Sequence, residues 1–281
     1  MLFRNKKKKV DFVIIGAQKC GTTSLFQYLK AHPSLQGSLG KELDYFHLHS
    51  NYKMGEKWYH SRWKDFGKKD ILYYEASPQY WYSPHTPERI AKYNPEMKFI
   101  CLVRDPVIRA YSAYNMFKQN TLTPELRERT IEWSYKNRNP DIENFFQKLF
   151  FTPEGCPPFE NFLEEEMKIM SDAKQLPEPS FIRRGFYQDQ LENFYNYFPK
   201  DRFILFENIE LDQERSRVLN EICSFVGVPQ MEWNIESVNS KYHVIDYKEP
   251  MSKSTFNMLS ELYKPHNEAF FSHIGKKFNW S

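Results

Sequence analysis

The sequence predicts an α/β fold, a central parallel sheet flanked by helices, and two observations carry that expectation. Short apolar, β-branched runs recur along the chain, each coupled to a segment with helical apolar spacing, as in a parallel sheet covered on both faces. The first run also ends in a glycine loop that opens straight into a helix, the strand–loop–helix unit of doubly wound α/β folds.

The elements follow in order. "VDFVIIG" (10–16) reads as a buried strand, and "TTSLFQYLKAH" (22–32) as a helix with Leu25, Tyr28 and Leu29 on one face and Pro33 ending the pattern. "ILYYEAS" (71–77) is a second strand and "SPHTPERIAKYNP" (83–95) a helix. "KFICLVR" (98–104) is a third strand, apolar until Arg104, and "PVIRAYSAYNMF" (106–117) a helix with Pro106 in its first turn, where proline is tolerated. "FYQDQLENFYNYF" (186–198) has helical spacing and leads to a fourth strand, "DRFILFE" (201–207). Residues 119–180 are charged and proline-containing, with a helix expected at "PFENFLEEEMKIM" (158–170). They read as a helical insertion and lid over an acceptor site within a single domain spanning 1–281. No internal repeat or low-complexity tract interrupts the chain.

Composition narrows the function. Lys plus Arg number 39 against 36 Asp plus Glu, so no general nucleic-acid or polyanion character follows from charge. Aromatic residues make up 17%, which argues for a packed core and against disorder. The four cysteines, Cys20, Cys101, Cys156 and Cys223, are scattered, and the eight histidines have no zinc-like spacing. That pattern favours a reducing compartment and no metal. No apolar run approaches the ~18 residues that span a bilayer. Lys6 to Lys9 read as a solvated lead-in to the first strand. Oligomeric state leaves no mark on the sequence.

The chemistry is concentrated in two anion-binding motifs. "GAQKCGTTSL" (16–25) keeps the glycine spacing of a Walker A loop, but Thr22 stands after the second glycine, where the lysine belongs, and the lysine is Lys19. The fold is therefore P-loop-like without the usual grip on a γ-phosphate. Gly21 allows close backbone approach, the amides of Cys20 to Ser24 open a helix towards an anion, and the hydroxyls of Thr22, Thr23 and Ser24 add donors. The third strand delivers Arg104 to the same sheet edge, with Ser112 eight residues on along the next helix. A ligand with a phosphate-like group at each end suits both.

Here the chain resembles the PAPS-dependent sulfotransferases, in particular the heparan sulfate 3-O- and N-sulfotransferase branch and its bacterial relatives. "GAQKCGTTSL" is similar to their 5′-phosphosulfate loop, and "CLVRDPVIRAYSAYNMF" (101–117) to their 3′-phosphate motif. The likeness continues in "KELDYF" (41–46), "EASPQYWYSPHTPERIAKYNP" (75–95), "RRGFYQDQLENFYNYFP" (183–199) and "LYKPHNEAFFSHIGKKFNW" (262–280). It implies transfer of a sulfuryl group from PAPS, 3′-phosphoadenosine 5′-phosphosulfate, with release of 3′,5′-ADP and no metal. It also implies that Lys19 steadies the reacting sulfonate, that Arg104 and Ser112 hold the 3′-phosphate, and that Tyr187, with Arg183 or Arg184, lies near the nucleotide. Glu42 takes the place of the family's catalytic base, with Lys41, His47 and His49 beside it on the acceptor side.

Three departures bear on the acceptor. Ala76 stands where the heparan 3-O enzymes have a lysine, Asp44 stands where they have a histidine, and "NSKYHVIDYKEPMS" (239–252) replaces their cysteine-bracketed loop. Lys241 and Tyr242 in that replacement are candidates for the 3′-phosphate or adenine. With Ala76 and no excess of basic charge, the expected acceptor is a small hydroxylated natural product, with a carbohydrate hydroxyl or amine as the alternative. The vertebrate relatives are Golgi proteins with anchors and disulfides; this sequence shows neither, so a cytoplasmic enzyme without a membrane span is expected. Two rival readings fit less of the sequence: an ATP-dependent kinase, which needs a lysine at position 22, and a non-catalytic nucleotide-binding protein.

Overall fold

The computed structural model describes residues 7–126, 128–129, 132, 142–144, 156–171, 176–234 and 249–280, and its elements are numbered in chain order among them. The chain falls into two compact units, Met1–Val103 with Leu191–His243, and Arg104–Gln190 with Val244–Ser281.

The first unit is built on five parallel strands in the order β2 (Leu35–Gly37), β3 (Leu72–Ala76), β1 (Phe12–Gly16), β4 (Lys98–Val103) and β7 (Phe203–Glu207). The three central strands are largely apolar runs, as expected when both faces are covered. Phe12, Val13, Ile14 and Ile15 are fully buried, as are Tyr73, Tyr74 and Phe99 to Val103. Burying each such large apolar side chain contributes about 1.5–3 kcal/mol. Register places Ile14 opposite Ala76 on one side and Ile100 on the other, so the three parallel strands share one carboxyl edge.

Helices connect the strands. α1 (Thr22–Tyr28) stops earlier than its apolar pattern suggests, because residues 29–31 tighten into a 3₁₀ turn. Between β2 and β3 lie α2 (His49–Lys53) and α3 (Gly55–His60). The aromatic residues of this stretch pack on one another: the Tyr45 and Tyr59 rings stack at 4.3 Å, and Trp63 meets Tyr59 edge-on at 5.1 Å. The helix expected over 83–95 is α5 (Thr86–Tyr93), with proline in its first turn; a short α4 (Gln79–Tyr82) and an extended Ser83 precede it. The fourth expected strand is shorter, because 200–202 form a 3₁₀ turn ahead of β7. After it come α9 (Asn208–Gln213) and α10 (Arg215–Val226).

The second unit packs α6 (Pro106–Gln119), α7 (Phe159–Ile169) and α11 (Lys253–Ile274) around one apolar core. Val107, Ala110, Tyr114 and Phe117 of α6 meet Phe159, Phe162 and Leu163 of α7, with Leu259 and Tyr263 of α11. A short parallel pair is formed by β5 (Ile142–Asn144) and β6 (Leu176–Glu178). α8 (Tyr187–Tyr195) returns the chain to the first unit. The expected helix at 158–170 is present as α7, whose apolar face belongs to this core; much of the remaining insertion lies outside the described residues.

Candidate active site

β1 delivers its loop to the carboxyl edge of the sheet in the first unit. The loop is tied down by Ala17 N–H donating to the Leu102 carbonyl at 2.6 Å and by Cys20 N–H donating to the Ala17 carbonyl at 3.3 Å. Gly16 is required by close approach, since a Cβ there would meet the Trp81 ring at 2.9 Å. Gly21 caps α1 at φ 92°, a left-handed conformation that favours glycine, and offers no side-chain acceptor to the helix amides. Lys19 is also left-handed, at φ 68°, a non-glycine backbone held against its preference. Lys19, Thr23 and Ser24 are partly exposed and Gly21 is exposed; Cys20 and Thr22 bury their side chains, so what those two offer a ligand is main chain.

The segment carrying Glu42 docks on the end of β3. Glu42 N–H donates to the Ala76 carbonyl at 2.9 Å, Asp44 N–H to Ser77 Oγ at 3.2 Å, and Phe46 N–H to the Tyr80 hydroxyl at 3.3 Å. Glu42 and Asp44 both take left-handed backbone, φ 61° and 49°. Ala76 pairs with Ile14, and Ser77 N–H donates to the Ile14 carbonyl at 3.2 Å, so the Glu42 segment, docked on the end of β3, and the Lys19 loop, which leaves β1, lie at the same edge of the sheet beside paired strands. The Glu42 side chain is half exposed and accepts from Lys41 Nζ at 2.5 Å. Of the other expected acceptor-side residues, His47 is buried, and His49 Nδ1 lies 2.7 Å from Arg89 Nη2.

Beneath this segment lies a carboxylate that the sequence reading did not single out. Glu75 is fully buried in β3 and accepts from the Tyr59 hydroxyl at 2.6 Å, Ser77 Oγ at 2.7 Å and the Tyr80 hydroxyl at 2.9 Å. Burial pushes its carboxyl above the ordinary range, while the three hydroxyl donors and the charge of Lys41 pull it back. Burial, and then the Glu75 charge, drives the Tyr59 and Tyr80 hydroxyls well above theirs, so both remain donors at neutral pH. A glutamate interrupting an otherwise apolar strand was the available signal.

In the second unit, Arg104 directly follows β4 in the chain. Asp105 caps α6 by accepting from Val107 N–H at 2.9 Å, and Pro106 takes the first helical position. The Arg104 carbonyl accepts from the Tyr187 hydroxyl at 2.7 Å, and the Tyr187 ring packs near Phe270 and Trp280 at 5.6 and 5.7 Å. Arg104 is partly exposed, whereas Ser112 and Tyr187 are buried. Arg183 caps the end of α7, donating to the Met170 carbonyl at 2.6 Å, and Arg184 pairs with Glu178 at 2.5 Å, so both guanidinium groups have structural partners. Glu166 of α7 accepts from Phe181, Ile182 and Arg183 N–H at 2.7–2.9 Å and from Ser180 Oγ at 2.5 Å, and so fixes the turn that leads to Tyr187. Lys241 and Tyr242 lie outside the described residues.

Residues 9–280, nearly the whole chain, match the sulfotransferase domain family. The chain belongs to that family. It is a PAPS-dependent sulfotransferase. Heparan sulfate glucosamine 3-O-sulfotransferase 5 of Mus musculus is 25% identical to it over 286 residues, covering 95% of this chain and 73% of the relative. The membrane-associated sulfotransferase kil1 of Dictyostelium discoideum is 22% identical over 96% of this chain and 66% of its own length. Among solved structures, the sulfotransferase from Alicyclobacillus acidocaldarius shares the fold with a TM-score of 0.65 at 21% identity, covering 96% of this chain and 98% of that one. In this sulfotransferase no helix among the described residues is long and apolar enough to cross a membrane.

Proposed function

We propose that this sulfotransferase moves the sulfuryl group of PAPS to a hydroxyl of a small molecule, with Lys19 and Glu42 as the groups that touch the reacting atoms. The observation that carries the reading is the shared sheet edge: Glu42 is held at the end of β3 and the Lys19 loop at the end of β1, which are paired strands. The loop amides and Lys19 hold the 5′-phosphosulfate, and Arg104 with Ser112 hold the 3′-phosphate, assisted on the nucleotide side by Tyr187 through its bond to the Arg104 carbonyl. The acceptor oxygen attacks sulfur as its proton passes to the Glu42 carboxylate. The bond from sulfur to the 5′-phosphate oxygen breaks, and 3′,5′-ADP departs with that oxygen while Lys19 offsets the growing charge.

A small acceptor is favoured by Ala76 and by the near-balance of 39 basic against 36 acidic residues. A second reading, a glycan acceptor, is favoured by the heparan sulfate activity for which the mouse relative is named. Labelled PAPS incubated with 2-naphthol, 4-nitrophenol and a desulfated heparan oligosaccharide separates the two. Label in the phenols supports the first reading, label in the oligosaccharide alone replaces it with the second, and no label in any of them counts against the assignment of Lys19 and Glu42.

A further inference from the structure

We propose that Glu75 is a positioning residue for Glu42: its buried carboxylate sets the direction of the Ser77 and Tyr80 hydroxyls so that they pin the segment bearing the base. The inference rests on the reading of Glu42 given above. A hydroxyl has a single proton and can accept an N–H bond in a fixed direction only when that proton is spent elsewhere. Ser77 Oγ gives its proton to Glu75 Oε2 at 2.7 Å and receives Asp44 N–H at 3.2 Å. The Tyr80 hydroxyl gives its proton to Glu75 Oε1 at 2.9 Å and receives Phe46 N–H at 3.3 Å. Tyr59 completes the carboxylate at 2.6 Å.

Glu42, Asp44 and Phe46 are alternate residues, and all three of their amides are therefore anchored on 76–80, two of them through hydroxyls that Glu75 orients. The segment needs this support. Glu42 and Asp44 are non-glycine residues with left-handed backbone, a conformation that persists only where the surroundings over-determine it. Glu75 is fully buried, so water has no route to replace its hydroxyl donors. A glutamine there would present two N–H donors where an oxygen had been, and the hydroxyl facing them would have to turn its proton elsewhere and lose the fixed direction in which it accepts its amide.

The test uses Glu75→Gln, Tyr80→Phe and Ser77→Ala, singly and with Glu75→Gln paired to each of the others. The measured quantities are kcat, the KM for PAPS with 2-naphthol and the desulfated heparan oligosaccharide as acceptors, 3′,5′-ADP affinity, and hydrogen exchange over 42–46. Glu75→Gln should lower kcat by between about tenfold and 10²-fold, the scale of a small misplacement of a reacting group. The KM for PAPS and 3′,5′-ADP affinity should hold, exchange at 42–46 should quicken, and the strand amides should stay protected. Tyr80→Phe should add less in the Glu75→Gln background than alone, since the two act through one bond. Wild-type kcat and protection in folded Glu75→Gln would overturn the role of Glu75 and leave the sulfotransferase reading intact. A fall in kcat matched by lost 3′,5′-ADP affinity would also overturn it, since that marks general loosening. If Glu75→Gln does not fold, Ser77→Ala, which removes one relay, decides by the same criteria. A wild-type protein that labels no acceptor would remove the reading of Glu42 beneath both.

Discussion

The main-chain N–H of Glu42 donates to the carbonyl of Ala76 across 2.9 Å, and Ala76 pairs in register with Ile14 of the strand that leads into the Lys19 loop. The bond uses Glu42's backbone and leaves its carboxylate half exposed beside Lys41. Chemistry and anchoring at this residue are therefore separable by mutation.

Glu42→Gln should keep the anchoring bond and the fold while lowering kcat by about 10²–10⁴-fold, the range of a positioned base. Steady-state kinetics with labelled PAPS, together with 3′,5′-ADP titration, checks it. Near-normal kcat would remove Glu42 from the proton transfer.

Lys19→Ala should lower kcat by about 10²–10³-fold, as when one donor to a developing anion is lost. The left-handed backbone at Lys19 persists in the variant, so the melting temperature should move little. A large drop in melting temperature with unchanged kcat would make Lys19 a structural residue.

Gly16→Ala should damage the protein more than Gly21→Ala. The new methyl at 16 meets the Trp81 ring at 2.9 Å, whereas at 21 the nearest atom is a Leu211 methyl carbon at 3.7 Å, an ordinary contact. The Gly21 variant then carries chiefly the cost of left-handed backbone, about 1–2 kcal/mol. Chemical denaturation of both orders them.

Glu166→Ala should cost about 2–5 kcal/mol, because three backbone N–H groups, two of them buried, lose a carboxylate acceptor together. Urea unfolding measures it. Loss of the turn at 180–183 should also weaken 3′,5′-ADP binding, through Tyr187 and the main chain at Arg104.

His60 gives a pH signature of stability. Burial, its largest cause, holds the imidazole below its usual value of 6.5, with Nε2 2.8 Å from the Tyr93 hydroxyl. The folded state then binds the proton less tightly than the unfolded chain. Its contribution is complete above the unfolded value and lost as pH falls from there through the folded one. The stability difference between wild type and His60→Gln should therefore shrink as pH drops below about 6.5. A difference constant with pH would contradict the shift.

What the sequence made legible was local or motif-borne. The Gly16–Gly21 spacing, the apolar runs of β1, β3 and β4, and Pro106 after Arg104 each occupy a few adjacent residues, and each lies where the pattern places it. Glu42 was legible through the likeness of "KELDYF" to a family motif, and the fold adds its bond to Ala76. Glu75 was not legible as a hub, since its partners Tyr59, Ser77 and Tyr80 converge from α3, the turn after β3 and α4. Strand β2 has three residues, too few to show a period. The bond from Arg183 to the Met170 carbonyl, 13 residues earlier in the chain at the end of α7, likewise has no local signature.

Titration calorimetry with 3′,5′-ADP, on wild type, Lys19→Ala and Arg104→Ala, tests the donor site most directly. The account predicts one site per chain in the wild type, binding at least about tenfold weaker in Arg104→Ala, where a charge-assisted phosphate clamp is lost, and no heat from ATP with Mg²⁺. Binding of ATP with Mg²⁺ but not of 3′,5′-ADP, or an Arg104→Ala affinity equal to wild type, would contradict it.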